Sequence, residues 1–161
     1  MKNIIRRTLV LAVLFMTAFA NSYAQQSADV EAAMNKIVTK YEDTKDVSCI
    51  TISKGFVLNR IKKAFAKEFG KDFMKGVTSM SIIEYSDASE ETVMSIRKDL
   101  DSFTSLLKEF DVSDKKNFSD NSFVRCFALK ADDKLLSDFL IAMEDADAKM
   151  VLYMAGVIKI Q

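Results

Sequence analysis

The chain has 161 residues, with 23 basic and 23 acidic side chains, two Cys, no Pro and no His. The absence of His removes His-dependent catalytic triads, most zinc sites and the usual proton shuttle near neutral pH. The sequence therefore favours a non-catalytic protein with no cofactor and no metal site. The lack of a basic excess argues against nucleic acid as a partner.

Residues 1–24 have the three parts of a cleaved secretory signal peptide. Three basic residues precede an apolar segment at residues 9–20, and Ser22-Tyr-Ala24 supplies the small residues of a cleavage site. No Cys directly follows the apolar segment, so we expect no lipid anchor. We predict cleavage after Ala24 and a mature chain that is periplasmic or secreted and has no transmembrane helix.

The mature part, residues 25–161, has the length of one domain and can bury a core. It retains 20 basic residues against 23 acidic ones, because three of the basic residues lie in the signal peptide. With no Pro and only four Gly in the whole chain, no flexible linker divides it. We therefore predict a single domain over residues 25–161.

The first half of the mature chain alternates helix and strand. Ser27–Tyr41 has apolar residues at helical spacing behind a Ser that can cap the helix. Val47–Ser53 is rich in β-branched residues and predicts a strand. A helical stripe then runs from Phe56 to Gly70, and Val77–Tyr85 predicts a second strand. Two strands separated by a helix indicate a right-handed parallel crossover, a βαβ unit.

The next predicted element is the longest helix. Asp87 and Glu90 form a capping box at its start, and apolar residues recur every three or four positions from Val93 to Phe110. A coiled coil would need more heptads, so we predict that this helix packs on a sheet. The polar segment Asp111–Asn121 predicts an exposed linker.

Three runs of alternating apolar residues make up the last third of the chain. Ser122–Lys130 and Leu135–Met143 alternate between two faces, whereas Lys149–Ile160 is apolar on both, which is typical of a central strand. Acidic segments between the runs predict turns. Gly156 predicts a bulge or a close backbone approach. We predict that the three runs form an antiparallel meander.

Together these elements predict an α+β fold in the order α-β-α-β-α-β-β-β. The sheet is predicted to be mixed, because the βαβ unit is followed by the antiparallel three-strand C-terminal meander. The amphipathic helices have one apolar stripe each, and we predict that they cover one face of this sheet.

The two cysteines, Cys49 and Cys126, can form a disulfide, since an even count in an exported protein permits one. A bridge requires Cα atoms within about 7 Å and side chains on the same face of the sheet. The alternative is two reduced cysteines that fill the core as small hydrophobes.

The second predicted helix is strongly basic. Arg60, Lys62, Lys63 and Lys67 lie within two turns of one another and form a candidate partner-binding face for an acidic surface. The alternative is a solvated face that balances the acidic helix that follows.

Three segments carry a family resemblance. They are Val47–Leu58, where a strand passes straight into a helix, Gly76–Tyr85 ahead of the long helix, and the closing apolar strand Met150–Ile160 with its Gly. On these segments the chain resembles, from Asp29 to Gln161, the Bacteroidetes family of exported proteins catalogued as domain of unknown function 4252. The resemblance implies an exported α+β domain and supplies no catalytic residues. It also implies a link to signalling, since such proteins are often encoded beside regulators of envelope stress.

Three expectations about function follow. The first is a non-catalytic periplasmic binding or scaffolding module with a protein partner in the cell envelope. The alternative is a periplasmic regulatory partner in envelope-stress signalling of the anti-sigma type, with the basic helix as its contact. The second alternative is a small hydrolase that uses carboxylates such as Glu84 or Asp138.

Overall fold

The structure is a computed structural model that describes residues 24–110, 123–131, 134–145 and 148–159. The predicted linker Asp111–Asn121 and all but the last residue of the predicted signal peptide lie outside these residues. The described part contains three helices: α1 at residues 24–41, α2 at Phe56–Phe69 and α3 at Glu90–Thr104. Its strands are β1 at Ser48–Ile52, β2 at Gly76–Glu84, β3 at Lys108–Phe110, β4 at Phe123–Ala128, β5 at Lys130–Ala131, β6 at Leu135–Glu144 and β7 at Lys149–Lys159.

The sheet is antiparallel throughout the described residues, so the predicted mixed sheet is wrong. Its strand order is β1-β2-β7-β6-β4-β3, and β5 pairs with β6 beside this path. β1 and β2 are antiparallel neighbours, with Ile52 opposite Met80. The chain therefore leaves and re-enters the sheet at the same end, and the predicted parallel βαβ unit does not form. The excursion consists of α2 and a series of hydrogen-bonded turns at residues 70–75.

The C-terminal strands differ from the predicted self-contained meander. β4 pairs with β6 and β6 pairs with β7, both antiparallel, but β3 adds a strand beyond β4 and β5 occupies part of the edge of β6. β7 also pairs with β2, which places it inside the sheet. A strand that is apolar on both faces can be buried from both sides, and this central position uses both faces of β7.

Helices cover both faces of the sheet, which corrects the predicted coverage of one face. One core joins α1 and α3 to the sheet through the side chains of Met34, Ile96, Leu140 and Tyr153. The other core lies on the opposite face, where Leu58 of α2 packs with residues that include Met74, Met80, Phe139 and Ile158. Residues that alternate along β7 point into the two cores in turn, because successive side chains of a strand point to opposite faces. The molecule therefore has three layers, helices on either side of one sheet.

α3 begins two residues later than predicted and ends earlier. Its N-cap is Ser89, whose hydroxyl accepts a hydrogen bond from the amide of Thr92 at 3.3 Å, rather than Asp87. The stripe of Val93, Ile96, Leu100 and Phe103 is buried as the spacing predicts. Beyond Thr104 the apolar spacing continues, but the chain has left the helix and forms β3.

Gly156 lies at an irregularity where β6, β7 and β2 meet. Its φ is 96°, and a Cβ atom there would lie 2.3 Å from the carbonyl oxygen of Gly76. The register shifts at this level on both sides of β7, at Asp138 in β6 and between Val77 and Ser79 in β2. The predicted bulge or close backbone approach at Gly156 is confirmed. Among the described residues no helix has the length and apolar content that crossing a bilayer requires.

Candidate functional site

A cavity of about 640 Å³ opens between α3 and the sheet, on the face that also carries α1. Its inner surface is apolar, because Tyr85, Leu100 and Phe127 are all at least 94% buried and Ala142 lies beside them. The outer part is charged and is lined by Arg97, Asp101, Arg125, Glu144, Asp145 and Lys149. The sequence analysis predicted no such cavity.

Glu144, at the end of β6, lies at the centre of the first charged group. Its carboxylate accepts hydrogen bonds from Nε of Arg97 at 3.0 and 3.1 Å, a further short one from an Arg97 terminal nitrogen, and one from the Tyr85 hydroxyl at 2.9 Å. The guanidinium of Arg97 holds the pKa of Glu144 below its usual value. Burial, together with the Glu144 carboxylate, holds the pKa of Tyr85 well above its usual value. At neutral pH the carboxylate is therefore ionised and the phenol is protonated.

Arg125 forms the second charged group. It projects from β4 and donates to both carboxylate oxygens of Glu109 in β3, at 2.8 and 3.0 Å. A terminal nitrogen lies 3.8 Å from Asp101 of α3, and the guanidinium lies 4.7 Å from the ring centroid of Phe127. Such a fork-shaped pairing fixes the plane of a guanidinium better than a single hydrogen bond does. Arg125 therefore ties the edge strand β3 and helix α3 to one wall of the cavity.

The turn between β6 and β7 closes one end of the cavity. The amide of Ala148 donates to the Asp145 carboxylate at 2.6 Å, and the backbone amide of Asp145 donates to the Ala148 carbonyl at 2.8 Å. Lys149 extends its ammonium to the carbonyl of Ser86 at 3.4 Å. This acidic segment was predicted to be a turn, and its described ends have turn hydrogen bonds. Residues 146–147 lie outside the described part of the chain.

The cavity combines an apolar interior with charges of both signs that are paired with each other. Its three cations are balanced by three carboxylates, and the two arginines are each held by a carboxylate. The shifted pKa values of the lining groups Glu144, Tyr85, Arg97 and Arg125 all move away from neutrality, not towards it. A general acid or base works best with a pKa near the operating pH, so the geometry fits ligand binding better than proton transfer.

Neither carboxylate of the hydrolase hypothesis lines this cavity. Glu84 is partly exposed at the end of β2 and accepts a hydrogen bond from the amide of Ser86 at 3.0 Å. The Ser86 side chain, together with this amide, holds the pKa of Glu84 below its usual value. Asp138 is fully buried in the bulge of β6. The two residues belong to different strands, and β7 lies between these in the sheet, so the structure does not bring them together.

The two cysteines are too far apart for the disulfide that the sequence left possible, and both are free. Cys49 lies on β1 and packs against the core under α1 and α3, whereas Cys126 lies on β4 in the core under α2. Three strands separate β1 from β4, which corresponds to about 19 Å at the usual spacing between strands. Distance and opposite faces both exclude a bridge within the chain, so the alternative of two reduced thiols is the structural result.

The predicted basic face is only partly formed. Arg60, Lys63 and Lys67 are exposed on α2, and Arg60 lies over the ring of Phe56 with 5.6 Å between its guanidinium carbon and the ring centroid. Lys62 is half-buried instead, and its ammonium is 3.4 Å from the Lys75 carbonyl. Successive helical residues are about 100° apart, so Lys62 and Lys63 cannot share a face with equal exposure.

Sequence reasoning missed Arg97, Arg125 and Glu144 as site residues. One available signal was Arg125, a lone charge among the apolar residues on one face of a predicted strand. A charge in that position requires a charged partner or an open cavity, and Arg125 has both, since it pairs with Glu109 and lines the cavity. Among the described residues there is no cluster of three or more acidic, Cys or His side chains that is arranged to hold a metal ion.

The chain was compared with protein-family models, with curated proteins and with solved structures, and none of the three comparisons found a match. The interpretation of the cavity therefore depends on its own chemistry.

Proposed function

We propose that this protein is a non-catalytic binding module whose α3 cavity takes an amphipathic small molecule with an anionic group. The observation that carries the proposal is the layout of the cavity, with a buried apolar interior below the exposed Arg97 and the half-buried Arg125. Its volume of about 640 Å³ lies within the range of small-molecule sites, and a few placed polar groups in an apolar pocket are typical of them.

The arginines favour an anionic group on the ligand. The side chain of Arg97 is 53% exposed, so part of its guanidinium faces solvent although Glu144 holds the rest. An arginine has five N–H donors, and the contacts with Glu144 use the Nε atom and one terminal nitrogen. The second terminal nitrogen is then available to a carboxylate or phosphate at the mouth of the cavity, while the apolar part of the ligand contacts Leu100 and Phe127.

The proposed location is the periplasm or the exterior of the cell, which rests on the signal-like composition of residues 1–24. N-terminal sequencing of the protein recovered from the cell envelope should begin at Gln25. A protein that retains Met1 and stays in the cytoplasm would contradict export while leaving the binding proposal intact.

Three probes of equal chain length test the ligand class. Octanoate, octanol and octylammonium differ only in the polar group, and we expect calorimetry to show saturable binding of octanoate with a Kd of about 0.1–1 mM. Octanol should bind more weakly and octylammonium weakest, since the two arginines repel a cation.

A pair of variants tests the position of the site. Thr104 lines the cavity from α3, and Thr104→Trp should fill the cavity and abolish octanoate binding. Lys98→Trp places the same side chain on α3 outside the cavity lining and should bind octanoate like the wild type. Equal binding by both variants, or no saturable binding of any probe, would overturn the proposal. Circular dichroism checks that both variants are folded.

A further inference from the structure

β1 is an unprotected edge strand. It ends the sheet and pairs only with β2, so its other side has no strand among the described residues. Its sequence, Ser-Cys-Ile-Thr-Ile, contains no charge, no Pro and no bulge. Proteins commonly guard edge strands with such features, because unpaired backbone groups recruit another strand. β1 has none of them.

Exposed apolar side chains cluster beside this edge. Ile50 of β1 is 48% exposed, and Phe56 and Val57 at the start of α2 are 74% and 56% exposed. These three are within residues 50–57, and among the described residues the only other large hydrophobic side chains so exposed are Met94 and Leu106. Only three residues join β1 to α2, so the edge and the helix start are neighbours in space.

The outward side of α2 adds positive charge to this surface. Phe56, Arg60, Lys63 and Lys67 follow one another at spacings of four, three and four residues, which places them on one stripe of the helix. Among the side chains that the structure describes, none pairs with these three cations in a salt bridge. The first turn of α2 has no acidic residue. Lys54, just before the helix, is exposed as well. We call β1 and this stripe the edge surface.

We propose that the edge surface binds an extended, acidic segment of a partner protein, which adds to the sheet as a strand beside β1. Backbone hydrogen bonds to β1 supply affinity for an extended chain regardless of its sequence. Apolar residues of the segment cover Ile50 and Val57, and its carboxylates meet Arg60 and Lys63. This site is on the edge of the molecule and does not depend on the α3 cavity.

A second copy of this chain fits the edge surface less well. Two β1 strands paired antiparallel about a twofold axis perpendicular to the sheet would place both copies of α2 on the same face of the joined sheet. The cations of the two stripes would then lie on the same side of the interface, and like charges at an interface oppose association. A partner of opposite charge has no such cost.

A heptapeptide that carries Glu, Val and Glu on one face, Thr-Glu-Thr-Val-Thr-Glu-Thr, is a suitable probe, because Ile50 and α2 lie on the same face of the sheet. We expect it to bind the wild-type protein measurably in fluorescence anisotropy, and a peptide with Lys in place of Glu to bind at least about tenfold more weakly. The Glu peptide N-methylated at every residue keeps its charges and loses the backbone donors of both its edges, so it should also bind at least about tenfold more weakly. Added salt should weaken binding of the Glu peptide.

Two sets of variants locate the binding site. The triple variant Arg60→Glu, Lys63→Glu, Lys67→Glu should weaken binding of the Glu peptide at least about tenfold. The matched control Lys36→Glu, Lys98→Glu, Lys159→Glu makes the same change in net charge at exposed lysines elsewhere and should bind better than the triple variant. Ile50→Lys, which adds the usual guard to the edge, should weaken binding too. The cavity variant Thr104→Trp should bind the peptide like the wild type.

The proposal is overturned if the Glu peptide does not bind, or if N-methylation leaves its affinity unchanged. It is also overturned if sedimentation shows a wild-type dimer that Ile50→Lys converts to a monomer, because the occupant of the edge is then a second copy. If Ile50→Lys does not fold, the test of the proposal is the affinity of wild-type protein for the Glu peptide compared with its affinities for the Lys peptide and the N-methylated peptide.

Discussion

Asp138 is the residue with the most unusual surroundings in the described chain. It is fully buried and has a positive φ of 49°. One carboxylate oxygen accepts from the Ser27 hydroxyl at 3.0 Å, the Tyr153 hydroxyl at 3.2 Å and the Gly156 amide at 3.3 Å. The other oxygen has no hydrogen-bond partner among the described residues. Burial raises the pKa of Asp138 in spite of these donors, and the nearby carboxylate of Glu31 raises it further.

This raised pKa predicts a stability that falls as the pH rises. The carboxyl pKa is ordinary in the unfolded chain, about 3.9, and higher in the folded one, so the folded state holds the proton more tightly between the two values. The contribution of Asp138 to the free energy of unfolding is complete below the pKa of the unfolded state and is lost as the pH rises through the pKa of the folded state. Asp138→Asn mimics the protonated form and tolerates positive φ. We expect urea unfolding to show Asp138→Asn gaining stability relative to wild type from about pH 4 to 8.

Asp138→Ala serves as the control for this experiment. It removes the shared acceptor of three hydrogen bonds. We therefore expect the free energy of unfolding to fall by about 1–3 kcal/mol across the whole pH range. If the free energy of unfolding varied with pH in the same way for wild type and Asp138→Asn, the prediction would be wrong, because Asp138 would then not titrate differently in the folded and unfolded states over this range.

At the scale of elements, the start of α3 offers a direct test. The Ser89 hydroxyl caps the helix, whereas Asp87 lies outside it and is exposed. Ser89→Ala should lower the free energy of unfolding by about 1 kcal/mol, because the first-turn amide of Thr92 loses its acceptor. Asp87→Ala should change it by less than about 0.5 kcal/mol. Equal losses measured by thermal or urea unfolding would indicate that the capping box predicted from the sequence also contributes.

Apolar spacing predicted the helices well but not their ends or the direction of the strands. The buried stripe of α3 follows from its spacing of three and four residues. That spacing continues to Phe110, yet Lys108–Phe110 pairs with β4, because hydrogen bonding to a neighbouring strand depends on distant residues. The direction of β2 relative to β1 depends on the turns at residues 70–75. The sequence analysis inferred a parallel pair from the helix between the two strands and did not predict these turns. The backbone amide of Lys159 in β7 donates to the carbonyl of Phe73 at 3.0 Å, so a residue far along the chain helps to hold these turns.

At the scale of the whole molecule, the three layers determine the chemistry of the cysteines. Cys49 and Cys126 lie on opposite faces of the sheet, and burial raises the pKa of both thiols. Denatured protein that was never reduced should therefore contain two free thiols in a colorimetric count. In native protein the half-buried Cys49 should be alkylated before the buried Cys126. A count of zero in a monomer would contradict the strand order.

The cavity could not be predicted from the sequence because its parts are far apart along the chain. Tyr85 directly follows β2, Arg97 belongs to α3, Arg125 to β4 and Glu144 to β6, and only the antiparallel order of the sheet brings them to one place. By contrast, the two apolar faces of residues 149–159 are a local pattern. That pattern was sufficient to predict a strand inside the sheet.

The position of β7 has a consequence for biosynthesis. Among the described strands, β7 alone links the pair β1-β2 to the group β6-β4-β3. A nascent chain that lacks residues 149–159 therefore holds two separate groups of strands, and the core that includes α1 still lacks Tyr153. The complete sheet can form only after residues 149–159 have been synthesised.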